Sequence, residues 1–154
     1  MPYCQIMKIE EEIKQSKFRN AQQKAIINLI YTTNWLSSKQ QDFMKPYGIT
    51  SQQFNILRIL RGQHPKSISG TEIKSRMLDR NSDVSRLLDR LAAKDLITKN
   101  ICPQDKRAVD VAITNEGMKL LQTIDKSAEE MDSLLDLTEE EATMFSNLLD
   151  KARR

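Results

Sequence analysis

A mainly helical fold carrying one small β-hairpin is the expectation from this 154-residue chain, and three observations lead to it. Glycine and proline are sparse, at four each, so long helices should run between few breaks. Three S/T-x-x-E/Q capping boxes, Thr50…Gln53, Ser69…Glu72 and Thr138…Glu141, mark helix starts by satisfying orphan backbone donors in both directions. One strictly alternating stretch, Val109, Val111 and Ile113 with Asp110 and Ala112 between them, has the two-residue period of a half-buried strand. A chain of this length fits one compact domain, or one domain with appended helices, and can bury roughly 70% of its unfolded surface.

In chain order, a first helix is expected from about Glu10 to Lys45. Phe18, Ala21, Ala25, Leu29, Thr33 and Leu36 recur there in steps of three and four. Pro46-Tyr47-Gly48 ends it, since proline disfavours helix at the preceding residue and glycine supplies a free turn. At 1.5 Å per residue such a helix is about 50 Å long, too long to pack fully on a domain this size. A second copy of the chain is the simplest cover for its far end. The helix after Thr50 buries Phe54, Leu57 and Leu60 and closes at Gly62-Gln63-His64-Pro65. A short helix from Gly70 to about Met77, the polar turn Leu78 to Asn81, and a helix from Ser82 to about Lys94 follow. Strands are expected at Ile97–Ile101 and Val109–Ile113, with the polar run Cys102 to Arg107 as the tip between them. Thr114 caps a long helix to about Leu135, and a last helix spans Glu139 to Lys151. Helix, helix, helix, β-hairpin between long terminal helices is the order of a winged helix-turn-helix. Residues 1–154 then form a single domain, with dimerisation helices at about 10–45 and 115–154 and the winged part at about 50–113.

Charge and composition narrow the function. The chain is 39% apolar and 29% charged with a net charge of +3, a mix that suits a soluble helical protein. No apolar run approaches the roughly 18 residues of a membrane span. Met1-Pro2-Tyr3-Cys4 opens no signal-peptide core, so a cytoplasmic location is expected. Between Lys74 and Arg107 nine basic residues face five acidic ones, whereas four face nine between Leu120 and Arg154. A basic middle beside an acidic tail points to one surface that meets a polyanion and another that does not. Cys4 and Cys102 make neither a disulfide framework nor a closed zinc site. Cys4 as a redox sensor is outweighed by its terminal, frayed position, and Cys102 reads as an inert thiol. His64, the lone histidine, has no metal-ligand partners. No phosphate loop or Ser/His/Asp grouping suggests an enzyme, and no cofactor is expected.

At about 100° per residue, Val84, Leu87, Leu88 and Leu91 fall on one arc of the helix from Ser82. The opposite arc holds Ser82, Arg86, Asp89 and Ala93, flanked by Ser85 and Arg90. Hydroxyls near a helix N-terminus and guanidinium groups one turn later suit a DNA major groove, where arginine forks onto a guanine edge. Periodicity by itself favours an ordinary amphipathic helix with solvated charges, and the hairpin tip shifts the balance. Lys106 and Arg107 stand there, and a guanidinium on a thin protrusion can enter a narrow minor groove. Asp89 is expected to neutralise a neighbouring arginine, and Asp105 to hold Arg107 or Arg90.

The run Asp83-Val-Ser-Arg-Leu-Leu-Asp-Arg-Leu91, then Lys94-Asp-Leu-Ile97, Asp105-Lys-Arg107 and Ile113-Thr-Asn-Glu-Gly117, resembles the MarR family of bacterial transcriptional regulators. That family has a recognition helix ending near "DRL", a wing with "D-x-R" and an "LT-x-x-G" entry to the next helix, in this order. The resemblance covers nearly the whole chain. It implies a homodimer of intertwined terminal helices on a palindromic double-stranded DNA operator, recognition helices in the major groove and wings in the minor groove. It maps Ser82, Ser85 and Arg86 to the recognition face and Asp105 and Arg107 to the wing. Three departures stand out: Asp95 replaces the usual glycine, which costs little because aspartate tolerates the left-handed conformation, Lys99-Asn100 replaces the usual acidic or polar-plus-arginine strand end, and Cys102-Pro103 at the wing base is also unusual. Tyr31, Trp35 and Phe43 fit a pocket for a small-molecule effector, but aromatics at that spacing also fit core or dimer interface. A winged-helix protein-interaction module without specific DNA binding, its acidic C-terminal helices docking a basic partner, is the alternative from another class.

Overall fold

The computed structural model describes residues 6–154, with the backbone alone at residues 106 and 107. Contacts divide the chain into two units, Met1–Lys39 and Gln40–Arg154. In the first, α1 (Ile9–Glu12) is followed by a non-helical stretch and then by the start of α2 (Ala21–Met44). The single helix expected from Glu10 is thus in two pieces. Lys14 takes a left-handed backbone conformation at φ 53°, which no helix continues through. Asn20 then opens α2, its side-chain oxygen accepting from the Gln23 amide at 2.8 Å. Lys24 pairs with Glu10, and the Tyr31 hydroxyl donates to Glu12 at 2.7 Å, so α1 is tied to α2 by polar contacts.

In the second unit α2 ends as expected, in a 3₁₀ turn at Lys45–Tyr47 closed by Gly48 at φ 69°. Helix α3 (Ser51–Gln63) has its full capping box at Thr50 and Gln53. Strand β1 (Ile68–Ser69), α4 (Gly70–Arg76), α5 (Val84–Ala93), β2 (Ile97–Cys102) and β3 (Asp105–Ile113) follow. The expected box at Ser69 is half made: its hydroxyl accepts from the Glu72 amide at 3.1 Å, while the Glu72 carboxylate pairs with Arg76. The sheet is antiparallel in the order β1-β3-β2, with Ile68 opposite Val111 and Lys99 opposite Val111 on the other side. A two-residue strand such as β1 gives no sequence period. Strand β3 starts four residues earlier than expected, with Cys102 paired to Asp105 across a shift in register, so Pro103-Gln104 alone form the tip.

The long helix expected after Thr114 is also interrupted, into α6 (Asn115–Asp125) and α7 (Ala128–Asp132), before α8 (Glu139–Ala152). The Ser127 amide donates to the Ile124 carbonyl at 2.9 Å, a tightened last turn that ends α6. Arg61 of α3 grips Asp125 with both guanidinium nitrogens, at 2.7 and 3.4 Å, and joins α3 to the end of α6. The core lies between α3, α4, α5, α6 and the sheet, where Ile56, Leu57, Leu60, Ile73, Leu91, Val111 and Leu121 are fully buried.

The crossing from α5 into the hairpin, and out of it into α6, is closed at one point. Asp95 is left-handed at φ 57°, as the sequence suggested. The Thr114 hydroxyl donates to the Asp95 carbonyl at 2.6 Å and accepts from the Gly117 amide at 3.1 Å, and the Thr114 amide donates to the Leu96 carbonyl at 3.1 Å. Gly117 packs so tightly that a Cβ there would stand 2.4 Å from the Leu96 carbonyl oxygen and 2.7 Å from Ile113 Cγ1. Gly117→Ala should therefore lower stability by about 1–3 kcal/mol through overpacking against backbone, read as a lower urea midpoint at unchanged m-value. An unchanged midpoint would contradict this packing.

Candidate nucleic-acid interface

Helix α5 is opened by Asp83, whose carboxylate accepts from the Arg86 amide at 3.2 Å. The cap defines which residues the helix presents. Val84, Leu88 and Leu91 are buried and Leu87 is half-buried, as the arc argument requires. Ser85, Arg86, Asp89 and Arg90 are exposed on the other side. Arg86 Nε lies 3.8 Å from Asp83, a loose contact, and Arg90 has no hydrogen-bond or ion-pair partner among the described residues. Two guanidinium groups one turn apart are thus presented to solvent on a helix fixed by its opposite face.

Ser82 departs from expectation. It precedes the cap rather than opening the helix, and its hydroxyl is buried without a hydrogen-bond partner among the described residues. It lines a cleft of about 360 Å³ with Thr50, Gln52, Asn81, Arg86 and Arg90, where the start of α3 faces the start of α5. Asp89 also departs: its partner is Lys99 of β2, not an arginine. The signal for Lys99 was its place in the alternation Ile97-Lys99-Ile101, a charge where the strand turns an apolar face inward.

On the wing, Asp105 is exposed. The side chains of Lys106 and Arg107 lie outside the described residues, as does Cys4. Cys102 is a free, half-buried thiol. Tyr31 and Trp35 belong to the first unit and are exposed, and the Tyr31 phenol is held above its usual pKa because it donates to the Glu12 carboxylate. Phe43 belongs to the second unit, where it packs against the core with its ring centroid 5.8 Å from that of Tyr47. Among the described residues no His/Cys/Asp/Glu group could hold a metal ion, and no helix is long and apolar enough to cross a membrane.

A helix-turn-helix formed by α4 and α5, followed at once by an antiparallel hairpin, defines the winged helix-turn-helix class. The family model described as "MarR family" matches residues 49–109. The chain is 30% identical over 111 residues to the HTH-type transcriptional regulator PecS of Dickeya dadantii, covering 70% of this chain and 67% of that protein. A crystal structure of a MarR transcription factor from Planctomyces limnophilus superposes with a TM-score of 0.68 at 27% identity, over 87% of this chain and 98% of the other. A mutant MarR from E. coli complexed with operator DNA shares the fold, with a TM-score of 0.70 at 24% identity over 95% and 99% of the two chains. The chain belongs to the MarR family: it is a DNA-binding transcriptional regulator and not an enzyme.

Asp83→Ala should cost about 1 kcal/mol by removing the cap of α5, and Asp83→Asn much less, since asparagine caps as well. Urea unfolding of the two variants checks the order. Equal losses would mean that the loose Arg86 pair, not the cap, carries the effect.

Proposed function

We propose that this chain is a ligand-responsive repressor that binds a palindromic operator as a homodimer. The observation that carries the reading is the solvent-facing row Ser85, Arg86 and Arg90 on a helix whose other face is buried. In this reading Ser85 and Arg86 meet base edges in the major groove, Arg90 and Lys106 meet phosphates, and Arg107 enters the minor groove with Asp105 orienting it. Ser82 takes no phosphate through its buried hydroxyl. The terminal helices supply the twofold contact. Ile26 and Ile30 on α2 and Met144 and Leu148 on α8 are each more than half exposed in the single chain, more apolar surface than a helix leaves in water without reason. An effector that favours one spacing of the two recognition helices over another would set operator affinity, since half-sites lie about one helical turn apart. Tyr31 and Trp35, exposed on the first unit, are the candidates for sensing it, and occupancy of promoter DNA would give repression.

The test is to enrich random duplexes on the purified protein and titrate the winning sequence. Affinity should fall roughly 10³- to 10⁵-fold between about 50 and 200 mM salt if about 6–10 phosphates are contacted. Arg86→Ala should relax preference at one base pair, at about 1–3 kcal/mol. Arg107→Ala should weaken binding strongly while the dimer mass persists. Micromolar, sequence-blind binding, or the mass of one subunit, would favour the protein-interaction module with its acidic first turn on α8.

A further inference from the structure

The two elements assigned to the two grooves, α5 and the β2–β3 hairpin, are joined on their outer side by an ion pair. Lys99 of β2 pairs with Asp89 of α5. The position of Lys99 is unusual for a charge. It follows buried Ile97 by two residues, so it stands on the strand's inward face, and it is paired across the sheet with fully buried Val111. An apolar residue would normally occupy such a site. Its side chain is 25% exposed, which fits a lysine whose carbon stem covers apolar surface while the ammonium reaches outward to the carboxylate. Asp89 is 67% exposed and sits among Ser85, Arg86 and Arg90, where a bare carboxylate would repel phosphate. The next inward position on β2, Ile101, is 60% exposed, so Lys99 marks where that strand stops being backed by the rest of the fold and the wing begins to project.

We propose that Lys99 and Asp89 form a clamp that sets the angle of the wing on the recognition helix, and that both are positioning residues for operator binding rather than DNA contacts. The pair does two things at once. It cancels the one acidic group on the outward row of α5, leaving Arg86 and Arg90 to act on DNA, and it fixes the base of the hairpin so that its tip meets the minor groove while α5 lies in the major groove. The inference rests on the DNA-binding reading above and adds to it a role for two residues which that reading leaves unused.

The experiment uses the full chain and the duplex that the wild type enriches from a random pool, at several salt concentrations. The clamp predicts that K99M and D89N each weaken binding about fivefold and that the double variant is no worse than either alone, the non-additivity of groups acting as one. It also predicts an unchanged slope of log affinity against log salt, because no phosphate contact is lost, and near wild-type binding for K99R, whose guanidinium reaches the same carboxylate. Without DNA, amides of β2 and β3 should exchange faster in K99M. D89N binding as tightly as wild type or tighter overturns the clamp, since the aspartate then only repels phosphate. A salt slope shallower by about one unit in K99M overturns it too, since the lysine is then itself a phosphate contact. Unchanged hairpin exchange overturns it independently of any DNA. A wild-type chain that enriches no duplex sinks the regulator reading itself, a failure distinct from these.

Discussion

Val84, Leu88 and Leu91 place the inner stripe of α5 in one core with Ile56, Leu57 and Ile73, and that burial decides everything the outer face can do. Each such side chain contributes roughly 1.5–3 kcal/mol when fully buried. An exposed ion pair contributes about 0–1 kcal/mol. The apolar stripe therefore sets the rotation of the helix about its own axis, and the charges take what is left. Arg86 and Arg90 point outward because Leu88 and Leu91 must point inward. A helix held in this way can meet DNA without first ordering its own reading face, which keeps the entropy cost of binding small.

The wing depends on that helix through a short stretch of special geometry. Left-handed Asp95 reverses the chain immediately after α5, Thr114 closes the base of the hairpin with its hydroxyl and its amide, and Gly117 admits the Leu96 carbonyl where any side chain would collide. These residues act on one knot: the exit from the recognition helix and the entry to α6 are fixed together. Arg61 and Asp125 tie the far end of α6 back to α3.

The features legible in the sequence were those carried by local rules. The stripe of α5, the boxes at Thr50 and Thr138, the stop at Pro46-Tyr47-Gly48 and the left turn at Asp95 all depend on residues within one turn of each other. Features set by distant partners were not legible. Strand β1 exists because β3 pairs with it, and two residues have no period of their own. The break before Asn20 was hidden because Phe18 and Ala21 continue the apolar stripe across it, although Asn20 and Gln23 carry a start signal of their own. The cap at Asp83 displaced Ser82 from the helix, and only the folded chain brings Lys99 to Asp89, ten residues away on another element. The arginine row could thus be read from the sequence, but its neutralising partner could not.

Hydroxyl-radical footprinting of the enriched duplex tests the central claim most directly, because it reads at once which face of the protein meets DNA and how many copies do so. The account predicts two symmetric sets of protected sugars centred about one helical turn apart, each with a flanking minor-groove patch that vanishes when the basic wing residue Arg107 is replaced by alanine. A single unsymmetric patch, or a symmetric pattern indifferent to Arg86 and Arg107, would contradict it.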